Sequence, residues 1–269
     1  MDRKTAGSFS GSLESDELRQ HVLRSYLVMR AGIAIIGIAF PLLLLFGGIA
    51  LQICPQDSMS AYYHAAGPGG GSMRNWFVGL LFAVSISLGL YRGFSRVEDR
   101  LLDAAALLGI GIAIFPMGWD PAKLSGCGVP GSIPHTAATL FGVPLHYLCA
   151  ISFFLCISLV CWFCADDTLH LEPSETRRRM LKRMYRGIAI AMPASMFAAW
   201  GLNSSLHTHK AVFWAEAAGI FAFGAYWFLK GIELNRTAAD LRAARGELRL
   251  RSGIVEAAPE SGKPPGDQC

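Results

Sequence analysis

Ser60 and His64 stand four residues apart in the stretch SMSAYYH, which follows a long apolar run. On an α-helix that spacing puts both side chains on one face, where a hydroxyl beside an imidazole suits acid–base chemistry or water activation at a metal. Glu216 lies about six residues inside another apolar run, where a charge is costly and is paired or functional by default. Ser60, His64 and Glu216 are therefore the catalytic candidates. His207 and His209 flank Thr208, and alternate residues of extended chain point the same way. With His64 they are the candidate ligands for a metal ion, for which zinc is the expected identity. Arg74, Tyr63, Asp120 and His135 are candidate binding residues nearby. Arg74 is the strongest partner for Glu216, because a guanidinium stays charged and can grip a carboxylate through two hydrogen bonds. His64 would then be free to act as ligand or base.

These residues must be held by membrane helices. The chain has 269 residues, 52% hydrophobic and only 16% charged, against about a quarter charged in soluble domains. Apolar runs near twenty residues lie at 31–52, 75–91, 101–118, 137–164, 184–202 and 211–229. Each must be helical, since hydrocarbon satisfies no backbone group. The expected fold is all-α, a polytopic bundle of six transmembrane helices. Pro144 within the fourth run predicts a tilt or kink. Helix through this region would put His135 and His146 on one face, about 16 Å apart, too far to share one ion.

Charge sets the orientation. Of 24 basic residues, only Arg74, Lys123 and Lys210 fall in the connections 53–74, 119–136 and 203–210. The remainder lie at the two ends and in the other two connections, a positive-inside pattern. Both termini are expected in the cytoplasm, the membrane is the plasma (inner) membrane, and the candidate residues gather on the outer side. Cys54 and Cys127 are the two cysteines in outer connections, where an oxidising exterior permits a disulfide. The chain divides into a cytoplasmic segment 1–30, a membrane domain 31–230, and a cytoplasmic helical extension with a flexible tail over 231–269. Within the first segment, 1–14 is expected to be disordered and 15–30 to lead helically into the first span.

GPGGG at 67–71 lacks the lysine of a phosphate-binding loop, and no nucleic-acid signature is present. The expected partner is the lipid bilayer. Small residues at Gly109, Gly111, Gly219 and Gly224 offer helix faces suited to oligomerisation.

The Ser60-x-x-x-His64 spacing resembles one motif of the CREST superfamily, the membrane hydrolases that include alkaline ceramidases and progestin/adipoQ-type receptors. The resemblance implies that His64 is a zinc ligand and that Ser60 sits beside the metal, which activates water for amide hydrolysis. That family's seven spans, the paired His-x-x-x-His of its last span and its aspartate after the first motif have no counterpart here. The run MRNWFVGLLFAVSISLGLYRG also resembles that of bacterial six-span membrane proteins, which implies no chemistry. The leading expectation is an outward-facing polar pocket that binds a small molecule, a lipid headgroup or a metal. A CREST-like metal-dependent hydrolase and a non-enzymatic transporter or accessory subunit are the alternatives.

Overall fold

The computed structural model describes residues 3–119, 135–205, 209–245, 247–251 and 254–257. The fold is helical throughout its core. Helix α1 spans Arg3–Ala50, α2 Arg74–Leu90 and α3 Arg96–Ile114. After a two-residue strand pair, β1 (Thr139–Leu140) and β2 (Val143–Pro144), α4 covers Leu145–Leu159. It runs on into a π turn, Val160–Cys164, closed by Ala165 N donating to the Val160 carbonyl at 3.1 Å. A short α5 (Asp166–Leu169) leads to α6 (Glu175–Ser205) and α7 (His209–Thr237).

Six long helices form a closed ring in the order α1, α2, α3, α4, α6, α7, with α7 packed back against α1. The helical stretches 24–50, 145–169 and 210–237 are long and apolar enough to cross a membrane, and α2 is a shorter apolar helix. Apolar side chains also cover the outside of the ring. On α1, Ile35, Ile38, Leu42, Phe46 and Ile49 recur at helical spacing and are exposed, and Tyr147, Ile151 and Leu155 form a similar stripe on α4. A protein apolar both inside and outside is compatible with a membrane location.

The glycines marked by their spacing are used within the chain. A Cβ on Gly224 would lie 3.0 Å from the Ile38 nitrogen of α1, and one on Gly219 would lie 2.4 Å from Ser195 Oγ of α6. Gly109 faces Ser85 of α2, and Gly111 faces Cys149 of α4.

Several boundaries differ from expectation. α1 already begins at Arg3, since no proline precedes Pro41 to break the ladder of backbone hydrogen bonds. Pro144 does not kink α4 but caps its start, where the missing N–H costs nothing. The residues before it form a tight hairpin, with Phe141 at φ 51° and Gly142 at φ 79°. The helix expected over 231–251 breaks at Ala238, which is left-handed at φ 50°. A short α8 (Ala239–Ala244) follows, and then an antiparallel hairpin of β3 (Leu248–Arg251) and β4 (Ile254–Ala257). Alternating LRLR and IVEA around Ser-Gly suit a hairpin, and a search for helical periods passes over them.

Candidate functional site

The segment after α1 turns back into the mouth of the ring and plugs it. Gln52 makes the reversal at φ 58°, and Ser60–Tyr63 then form one turn of 3-10 helix. Ser58 Oγ accepts the Ala61 N–H at 3.2 Å, so the serine caps that turn. Met59, Ala61, Tyr62, Ala65 and Met73 are buried, Tyr62 completely. The Tyr62 ring packs 6.0 Å from that of Phe213, and its hydroxyl accepts the Gln56 N–H at 3.4 Å. Gly48 makes room for it, because a Cβ there would stand 2.9 Å from the tyrosine ring. Two contacts pin the plug to α7. Phe213 N donates to the Asp57 carbonyl at 2.9 Å, and Met59 N donates to Glu216 Oε2 at 2.6 Å.

Beneath the plug lies a central cavity of about 90 Å³. All six ring helices contribute to its wall. Phe40, Phe77, Phe153, Phe154 and Phe223 supply its aromatic lining, while the polar groups are Ser60, His146 and Glu216. His146 is 4% exposed, and its Nδ1 donates to the Phe115 carbonyl at 3.0 Å, which fixes the ring. The cavity is therefore an apolar chamber with a carboxylate at its plugged end.

Comparison with protein-family models, curated proteins and solved structures finds no match. The chamber must speak for itself.

The residues singled out by spacing divide between the chamber and a neighbouring cluster. Ser60 and Glu216 line the chamber. His64 instead donates from Nε2 to the Met117 carbonyl at 3.0 Å. Its ring stacks on Trp119 at 5.1 Å and lies 5.6 Å from that of His135. Burial pushes the His64 pKa below the usual histidine range, with His135, Arg74 and His146 adding like charge nearby. Ser60 and His64 do not share a face, because in a 3-10 turn residues four apart diverge by about 120°. His135 is not helical. It forms an isolated bridge with Trp119, which brings it to His64 rather than above His146. Arg74 is exposed, lies 4.7 Å over the Tyr63 ring and donates to the Tyr63 carbonyl at 3.3 Å. Glu216 is met by the Met59 amide instead.

Asp120, His207, Cys127 and the side chain of His209 lie outside the described residues. Cys54 is disulfide-bonded to a cysteine also outside them, while Cys149, Cys156, Cys161 and Cys164 are free thiols. Among the described residues no three His, Cys, Asp or Glu side chains converge as a metal site.

Sequence reasoning missed a second polar centre at the other end of α7. Lys230 lies 14 residues from Glu216, roughly 21 Å along the helix. Arg30, Lys230 and Glu233 are each 1% exposed. Lys230 Nζ donates to Thr168 Oγ1 at 2.7 Å, to the Ala165 carbonyl at 3.2 Å and to Glu233 Oε2 at 3.3 Å. Thr168 and Tyr185 donate to the two Glu233 oxygens at 2.6 and 2.5 Å. Arg30 forks onto Asp240 of α8 at 2.8 and 2.6 Å and onto the Tyr91 hydroxyl at 3.3 Å. Positive-inside counting treats Arg30 and Lys230 as surface charges. The available signal was Lys230-x-x-Glu233, a pair one helical turn apart at the end of an apolar run.

Proposed function

We propose that this chain is an integral membrane protein of six spans, with both termini cytoplasmic, that binds a small molecule in its central cavity from the outer side. The observation that carries this reading is the chamber itself. It is walled by every helix of the ring and covered by a plug whose attachment runs through a chamber residue, Glu216. Concave, mainly apolar sites with a few convergent polar groups are the usual form of ligand pockets. The distribution of basic residues supports the orientation, which puts the plug outside and the Arg30 and Lys230 networks inside. The apolar outer surface supports residence in the plasma membrane, with lipid as the surrounding partner.

Thermal unfolding of purified protein tests the reading. Guests of about five heavy atoms should stabilise the wild type, by about 2.7 kcal/mol at a hundredfold excess over Kd. Ala150 lines the chamber, and Ala150→Leu should fill the space and remove the effect. Stabilisation equal in both proteins would place binding elsewhere.

A transporter is the second reading. It is favoured by the chamber's position between two latched ends, the plug and the Lys230 network, and guest uptake into proteoliposomes would test it. The hydrolase implied by the Ser60–His64 resemblance gains no support from the described residues.

A further inference from the structure

We infer that the guest of the central cavity is a small organic cation, an ammonium attached to a compact, methyl-rich hydrocarbon group. The inference names the ligand class of the site proposed above and rests on that reading. Glu216 Oε2 accepts the Met59 N–H at 2.6 Å, a bond that is strongest when the carboxylate is charged. Among the described residues no basic side chain meets it. Arg74 is turned to Tyr63, His64 to the Met117 carbonyl and His146 to the Phe115 carbonyl, while Lys210 is exposed. A carboxylate with one amide donor and no counter-ion among the described residues is left short of compensation. The space beside it is where a counter-ion fits.

The chamber wall selects the kind of cation. Phenyl faces carry negative electrostatic potential, and aromatic cages recognise quaternary ammonium groups for this reason. Five phenylalanines and one carboxylate make such a cage. The lining is too apolar to hold a metal ion's water shell in place, since its polar groups are Ser60, His146 and Glu216 alone. The apolar wall also lacks the six or more oxygens that a dehydrated calcium ion takes. Such an ammonium needs neither. It offers hydrocarbon to the rings and charge to Glu216.

Two guests of one shape test this: tert-butylammonium and tert-butanol, titrated into purified protein at pH 7 and constant ionic strength. The cation should bind roughly tenfold more tightly or better, and Glu216→Gln should abolish the preference. Phe154→Leu guards against a Glu216 variant that fails to fold. It removes one aromatic face and should weaken the cation while leaving the alcohol nearly unchanged. Equal binding of both guests to the wild type would mean that Glu216 holds a proton; the cation assignment would fall and the cavity reading would stand. Binding of neither guest would remove both.

Discussion

Lys230→Met separates a built ion pair from a decorative one. Lys230 is 1% exposed, and its ammonium supplies hydrogen bonds to Thr168, Ala165 and Glu233. Methionine keeps most of the stem and deletes the charge. Glu233 then keeps its hydroxyl donors Thr168 and Tyr185 but loses its counter-charge. Breaking a buried pair by removing one partner costs about 3–5 kcal/mol. Two surviving donors place the expectation at the lower end, about 3 kcal/mol. The companion variant removes the whole network by changing Lys230 and Glu233 to Met and Tyr185 to Phe together. Both charges of the pair are then gone, and stability should return to within about 1 kcal/mol of the wild type. Reversible unfolding in mixed micelles, followed by the fluorescence of neighbouring Trp227, reads both values. A single variant costing less than about 1 kcal/mol, or a triple variant as unstable as the single, would refute the reasoning.

Gly48→Val should drive a methyl group into the Tyr62 ring, which already lies 2.9 Å from a Cβ at that position, and cost about 1–3 kcal/mol in the same unfolding assay. His64 should make the protein acid-sensitive. Its folded pKa is depressed by burial, so its contribution is complete above the unfolded value of about 6.5 and declines as pH falls below it. His64→Gln should flatten that part of a stability–pH curve, and an unchanged slope would deny the histidine this role. For orientation, Gly69→Cys should react with an impermeant maleimide on intact cells, whereas Arg177→Cys should react only after permeabilisation; the reverse pattern would invert the topology.

The helices were legible because their cause is local, and three of them are long and apolar enough to cross a membrane, where the backbone has no other state. The candidate residues were legible as types but not as partners. Glu216 announced itself as an acid within an apolar run, yet the group that meets it is the main-chain amide of Met59, which no side-chain pattern reveals. The Ser60–His64 spacing carried a meaning that depended on an α-helix, and the chain adopts a 3-10 turn there. His135 moved to His64 because α4 starts at Leu145, a boundary set by the preceding hairpin. Arg30 and Lys230 were hidden by counting basic residues along the chain. Nothing in such a count distinguishes those that face water from those that fold back under the helices.

The π turn at Val160–Cys164 has a consequence for insertion and deletion. Such a turn is an α-helix with one residue too many. Each residue of a regular helix rotates the chain by about 100°, so the extra one sets the angular phase of everything after it. Ala165 and Thr168, which receive Lys230, lie immediately downstream. Removing any one residue from 160–164 would restore a regular helix and swing both away from α7, while the apolar residues upstream kept their places. A deletion of one residue there would thus act as a frame error in three dimensions, and its damage would appear at a lysine more than sixty positions later in the chain.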